Sequence, residues 1–334
     1  DQYGRYAHTN SIAYQSGFLR RPLVNEWMQA FTNLLKQKFP QLKVRDLTTD
    51  FRFIPTYDID EAYRYHYQPL WKNILGFFRD LLRGDFTAVV ERGNVYTGNM
   101  PDPYDSFDWL DELHQSYSCQ PIYFFLTLLK KGQYDKNLLS GNRGIRELYQ
   151  RLSERYATGL HPSWQSGSEP GLLQKERDVL NQITGQSILR SRNHYLRFTI
   201  PQTYRNLIGL GIQEEYSMAY GNANGFRASY AKPFLWYDLE NEKETGLELH
   251  PFCFMEACSF FNQGLTASEA GEELQYFHDK VRSVGGELIT LFHNHFLTTQ
   301  PEWLPWRNMY ARFLQENFAG VKRSENQTAS ASAS

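Results

Sequence analysis

Short runs of strand-forming residues alternate along this chain with longer stretches of helical periodicity, the arrangement that builds a parallel sheet covered by helices. Seven runs read as strands, at residues 52–57, 121–128, 156–160, 187–192, 215–220, 247–252 and 287–292. Helices are expected over 22–39, 61–82, 106–116, 144–155, 171–183, 203–210, 266–284 and 303–317. Several carry start signals: Thr266 and Glu269 have capping-box spacing, and Pro22 suits a first turn. Two stretches break the alternation, 84–105 and 221–244, and both are expected as long loops without helix. Loops of that length inside an α/β domain are more often functional than idle. The expected organisation is an N-terminal helical extension (1–45) packed on one α/β barrel domain (46–320), followed by a small, polar, disordered tail (321–334).

Lys and Arg number 35 against 37 Asp and Glu in 334 residues, so the charge balance gives no reason to expect nucleic acid or an anionic membrane as partner. Aromatic residues are abundant: 23 Phe, 22 Tyr and 7 Trp must fill a core or line a cleft. Cys119, Cys253 and Cys258 lack metal spacing and are expected as core thiols. No run of about 18 apolar residues is present to span a bilayer. The opening residues are not a signal peptide and read as the interior of a longer chain; the expected compartment is the cytoplasm.

In parallel α/β barrels the chemistry collects at the carboxyl ends of the strands. Four expected strands end in polar groups: Asp58 and Asp60 after the first, His161 after the third, Arg192 and His194 after the fourth, His293 and His295 after the seventh. Each has a bland reading as well. Asp58 and Asp60 suit a helix cap, His161 could bond a loop, His194 could sit on an ion-paired face with Arg192 and Arg197, and one of His293 and His295 could be a core histidine. Together, a carboxylate and two imidazoles suit Zn²⁺ or a similar divalent ion with an open position for water. A further carboxylate and histidine remain as base and acid, the inventory of a metal-assisted hydrolase.

The order of motifs resembles the polysaccharide deacetylase family, the NodB-homology or carbohydrate esterase family 4 group. Thr56-Tyr57-Asp58-Ile59-Asp60 resembles its first motif, Thr-Phe-Asp-Asp, and Leu160-His161-Pro162-Ser163 stands where the histidine motif belongs. Ser191-Arg192 followed by Leu210-Gly211-Ile212 and Tyr216-Ser217-Met218 is similar to the arginine motif and its sequel, and Leu291-Phe292-His293 resembles the closing Leu-x-His. The resemblance spans residues 53–295.

It implies a distorted, seven-stranded (β/α) barrel binding one divalent metal, Zn²⁺, and removing acetyl groups from an N- or O-acetylated sugar or polysaccharide. By the same resemblance Asp58 is the general base, Asp60 and His161 are metal ligands, Arg192 holds the base, and His293 is the general acid. Ile59 separates two aspartates that are adjacent in the family, which leaves open which of them faces the metal. Gln165 stands where a second motif histidine belongs; His194 is assigned as the third ligand, with Glu169 and Glu176 as alternatives.

Rings in the long loops and nearby, Tyr104, Trp109, Trp164, Trp236 and Tyr237, are candidates to stack on sugar faces, or else pack the loops. Arg227 could read a carboxylate or phosphate, or fix its loop through an ion pair. Two other readings remain: a carbohydrate-binding barrel with a degraded metal site, and a glycoside hydrolase, which Asp58 and Asp60 suit poorly because such carboxyl groups face each other across a cleft.

Overall fold

The computed structural model describes residues 1–44 and 51–319. The expected boundary at 45/46 and the expected disordered tail at 321–334 lie outside the described residues.

A mixed sheet flanked by helices forms the centre. In chain order the elements are α1 (Ile12–Gln15), α2 (Leu23–Lys38), β1 (Arg52–Ile59), α3 (Leu70–Leu82), α4 (Phe86–Tyr96), α5 (Phe107–Tyr117), β2 (Ile122–Leu126), α6 (Arg143–Ser153) and β3 (Ala157–His161). They continue with α7 (Pro170–Thr184), β4 (Arg190–Ser191), α8 (Gln202–Gly209), β5 (Glu214–Glu215), β6 (Phe234–Asp238), β7 (Lys243–Leu249), β8 (Phe254–Met255), α9 (Ala267–Ser283), β9 (Glu287–His293) and α10 (Leu304–Phe318). The strand order is β6-β7-β5-β4-β3-β2-β1-β9-β8. Every pairing is parallel except β6 with β7.

Central strands are buried on both faces, as parallel sheets require: all five residues of β2 are inaccessible, and so are the last five of β1. Much of the aromatic excess belongs here. Tyr57, Tyr123, Tyr149, Tyr204, Tyr216 and Tyr310 are fully buried; Phe125 stacks on Tyr149 at 4.0 Å, and the Tyr57 hydroxyl meets both Tyr310 Oη and His114 Nε2 at 2.7 Å. The three cysteines are buried free thiols, as expected. The Thr266–Glu269 capping box opens α9 with both reciprocal bonds formed.

The structure departs from the sequence reading at several elements: the strands expected over 187–192 and 215–220, for instance, shorten to the two-residue β4 and β5. Among the described residues the sheet has nine strands rather than seven, because β8 adds a short edge and residues 221–244, helix-free as expected, contain β6. The helix expected over 61–82 begins only at Leu70. Residues 61–69 instead wrap around Asp102, whose carboxylate accepts the backbone N–H of Arg64, Tyr65 and His66 at 2.8 Å each. The expected loop over 84–105 contains α4, started by Asp85, which accepts the Ala88 N–H at 3.0 Å.

The N-terminal segment docks on the loop before β6. Phe226 N donates to Leu19 O, Val24 N to Ser229 O, and Asn25 Oδ1 accepts from Ala231 N.

Candidate metal centre

Side chains two apart on a strand share a face, so Asp58 and Asp60 at the end of β1 point the same way while Ile59, fully buried, packs into the core behind them. Ladder register brings the other ends alongside. Asp58 lies beside Phe124 of β2 and His293 of β9, and β2 carries Leu126 beside His161 at the end of β3. Leu160 pairs with Ser191 of β4, which delivers Arg192, Asn193 and His194 to the same mouth. Tyr195 and Leu196 then turn with left-handed backbone, φ +60° and +52°, a conformation uncommon in non-glycine residues and found where a site over-determines its backbone.

The two aspartates take different partners. Asp58 Oδ1 accepts from Arg192 Nη1 at 2.9 Å, the same nitrogen donates to Thr56 Oγ1 at 2.7 Å, and Arg192 Nε donates to the Tyr216 carbonyl at 3.0 Å. Arg192 is wholly inaccessible, with the rings of Phe124 and Phe252 over its guanidinium at 4.4 and 5.0 Å. Asp60 faces the histidines: Oδ1 lies 3.1 Å from His161 Nε2 and Oδ2 3.2 Å from His194 Nε2. One ligand atom each from Asp60, His161 and His194 lie within 4.8 Å of one another.

The second nitrogen of each imidazole shows how the ring is prepared. His161 Nδ1 meets the Arg192 carbonyl at 2.5 Å, and a carbonyl only accepts, so Nδ1 carries hydrogen and Nε2 presents its lone pair inward. His194 Nδ1 likewise donates to Asp135 Oδ1 at 2.8 Å, the carboxylate oxygen that also accepts the Trp164 N–H at 2.9 Å. Asp60 Oδ1 and His161 Nε2 are buried and face each other without hydrogen-bond geometry, an arrangement costly for bare polar atoms and resolved by a cation between them. One carboxylate and two Nε2 imidazoles fit a divalent ion such as Zn²⁺. Without an ion, burial opposes charge on both groups. Even so, His194, His161 and His293 hold the Asp60 carboxyl well below the usual range. Asp60 and Asp135 push His194 up to about 10 against its burial.

His293 has its own carboxylate. Glu256, just after β8, accepts both the backbone N–H of His293 at 2.7 Å and its Nδ1–H at 2.6 Å, leaving Nε2 3.5 Å from Asp60 Oδ2. Burial opposes protonation, but Glu256 and the aspartates raise His293 to about 9. His295, half-buried beside His293, is pushed down to about 3 by desolvation and the neighbouring imidazole.

A cavity of about 650 Å³ opens over this floor, reached by Asp58, Asp60, His161, His194 and His293. Of the rings proposed from sequence, Tyr104 lines it; Tyr3, Tyr134, Tyr195, Phe261, Phe296 and Trp303 also stand in the wall. Trp164, Trp236, Trp109, Tyr237 and Arg227 do not line it. Trp164 lies under the Arg197 guanidinium at 4.0 Å with its Nε1–H toward the Tyr3 carbonyl, and Trp236, 7% exposed, packs on Tyr204 in the core. Trp109 carries Arg307 at 3.9 Å, and Tyr237 points outward to Glu242. Arg227 lies over Phe198 at 4.3 Å and donates to the Ala219 carbonyl, so it fixes its loop through a backbone oxygen and ring contacts rather than an ion pair.

The alternatives to His194 lie elsewhere. Gln165 donates toward the Lys131 carbonyl, Glu169 pairs with Lys130, and buried Glu176, pushed up to about 7 by desolvation, accepts the Ser163 N–H. Glu256 and Asp135 were not anticipated. Glu256 had one signal, an acid closing the apolar run Phe252-Cys253-Phe254-Met255; Asp135 had none.

The fold and cluster define a class: an α/β protein whose strand ends gather a site able to coordinate a divalent metal. It shares the fold of the polysaccharide-deacetylase (NodB/CE4-like) family at low sequence identity. It superposes on a protein assigned as a polysaccharide deacetylase from Mycobacterium smegmatis with TM-score 0.51 and 12% identity, covering 84% of this chain and 87% of that one. A second such protein, from Pseudomonas aeruginosa, gives TM-score 0.48 and 12% identity over 81% of this chain and 85% of that one. Residues 1–40 match the family of unknown function DUF7033. No curated protein matches the chain by sequence.

Proposed function

We propose that this protein is a metal-dependent hydrolase that removes acetyl groups from an N- or O-acetylated sugar or polysaccharide, with 46–320 as a barrel-type catalytic domain and 1–45 as an extension packed on it. The observation that carries the reading is the pairing of a candidate metal cluster, Asp60, His161 and His194, with an Arg192-held carboxylate and a Glu256-held histidine on one cavity floor.

A divalent ion held by Asp60, His161 and His194, Zn²⁺ in this proposal, would polarise the acetyl carbonyl and lower the pKa of water. Asp58, held in place by Arg192, accepts the proton of the attacking water. His293 donates the Nε2 proton to the departing nitrogen or oxygen, and Glu256 supports the imidazolium until it does. Water and the acetyl substrate thus become acetate and a free amine or hydroxyl. Tyr104 and the neighbouring rings offer flat surfaces to sugar C–H faces.

The test is acetate release from a panel of N-acetylated and O-acetylated oligosaccharides by zinc-loaded protein, with and without chelator, and with Asp58→Asn. Metal-dependent acetate release that Asp58→Asn abolishes supports the reading. Protein that binds zinc tightly but frees acetate from none of them overturns it.

A further inference from the structure

Helix α3 is turned inside out. The residues it buries are Asn73 and Asp80, and Arg92 of α4 reaches between them, Nη1 to Asn73 Oδ1 at 3.1 Å and Nη2 to Asp80 Oδ2 at 2.7 Å. Gly76 makes room for that guanidinium: a Cβ there would stand 2.6 Å from Arg92 Nη2, and Tyr65 covers the other side at 4.5 Å. The polar stripe is thereby fixed inward and the apolar one outward. Trp71 (64%), Leu75 (61%), Phe78 (55%) and Leu82 (88%) are exposed, with Leu70 and Ile74 between them, and Phe86 and Val90 extend the patch onto α4. At 3.6 residues per turn these α3 positions sweep an arc of about 140°. Apolar surface this continuous marks a binding surface.

Charge decides what covers it. Lys72 and Arg83 flank the apolar arc and are exposed, while Arg79, exposed as well, is paired with Asp80 at 2.6 Å. The acids of the hairpin are committed: Asp80 to Arg92 and Arg79, Asp85 to the cap of α4, Glu91 to the Tyr65 hydroxyl and the Gln300 amide. A second copy meeting this face would set Lys72 and Arg83 against the same cations, with Asp85 as the one exposed acid of the hairpin. An anionic headgroup layer supplies the missing counter-charge while the acyl boundary takes the rings, the arrangement of interfacial amphipathic helices. The chain-wide net charge of −2 conceals this local segregation.

We propose that the α3–α4 hairpin docks this protein on the surface of an anionic phospholipid bilayer. The hairpin is rooted at the cavity rim. Arg64 lies over Tyr104, a cavity wall, and Gln300, which holds Glu91, follows the lining residues His295 and Phe296. Docking therefore sets the cavity mouth beside the lipid.

The experiment is co-sedimentation with phosphatidylcholine vesicles, with or without about 30 mol% phosphatidylglycerol, and requires no catalysis. Expected are binding to the anionic vesicles, at least about tenfold weaker binding to the zwitterionic ones or in high salt, and a loss of at least about tenfold in Trp71→Ser/Phe78→Ser and in Lys72→Glu/Arg83→Glu. Leu239→Ser, equally exposed on another face, should bind like the parent. These are surface changes, so unchanged melting temperatures confirm folded variants. Wild-type protein that ignores anionic vesicles, or variants that bind unchanged, would overturn the proposal. So would light scattering that finds a dimer dispersed by Trp71→Ser/Phe78→Ser together with no vesicle binding.

Discussion

Glu256 grips His293 twice, through one carboxylate oxygen that accepts the backbone N–H at 2.7 Å and the ring Nδ1–H at 2.6 Å. One contact fixes the position of the residue and the other fixes the tautomer, so the proton on Nε2 can only face the cavity. The same contact raises the pKa of His293 to about 9 against its burial. In Glu256→Gln the negative charge goes while the shape remains, and the pKa of His293 should fall. A general acid must be protonated, so the alkaline limb of the kcat/KM profile should move to lower pH by about one unit or more. An unmoved limb would remove His293 from the acid role.

Asp135 has no place among the candidate ligands, yet it holds His194 in the metal-binding orientation through Nδ1. Partners of this kind are typically worth about 10–100-fold in metal affinity. Asp135→Asn should weaken zinc binding by that order, and His194→Ala should weaken it further. Isothermal titration reads both. If His194→Ala binds zinc as tightly as the parent, His194 is no ligand.

How much of this was legible follows from the physics of each position. Asp58 and Asp60 were visible because two-residue spacing on a strand puts both on one face, and Ile59 between them changes which neighbour each meets rather than removing either from the site. His194 was reachable because it ends the strand after the histidine motif. Glu256 and Asp135 come from a strand end and a loop with no periodicity, and their roles exist only once distant strands are brought together. Trp236 was misplaced for a local reason. In antiparallel β6 it alternates inward between exposed Leu235 and Tyr237, so its ring enters the core. The α3–α4 hairpin was hidden because its amphipathic pattern carries no sign of which face is buried; Arg92 decides that from the next helix.

The cluster also predicts an opposite pH response with and without metal. In metal-free protein the folded-state pKa of His194, about 10, lies above its ordinary value near 6.5. Its stabilising contribution is therefore fully present below about pH 6.5 and is lost as pH rises toward 10. The depressed carboxyl of Asp60 works at the other end, contributing above the ordinary carboxylate range and losing that contribution as pH falls. A metal needs His194 Nε2 without its proton, so zinc affinity rises over the same alkaline interval. Melting temperatures should fall between pH 6.5 and 9.5 for the metal-free form, and the gap to the zinc-loaded form should widen. A metal-free form that grows more stable across that interval would contradict the histidine–aspartate clasp.

Arg192 and Asp58 form an ion pair with almost no water, 0% and 2% exposed, and Arg192 Nη2 is buried without a partner. Such a pair contributes little net stability, because desolvation offsets the attraction, but removing one member strands the other charge at a cost of about 3–5 kcal/mol. Arg192→Met keeps the length of the side chain among Phe124 and Phe252 and deletes the charge, so it should lower stability by about that amount. Adding Asp58→Asn removes the stranded carboxylate, and the double variant should recover much of the loss while remaining inactive. Denaturant unfolding of the two single variants and the double gives the coupling directly. Additive destabilisation would mean that the two groups do not depend on each other, and Arg192 would no longer be the group that holds Asp58 at the floor of the cavity.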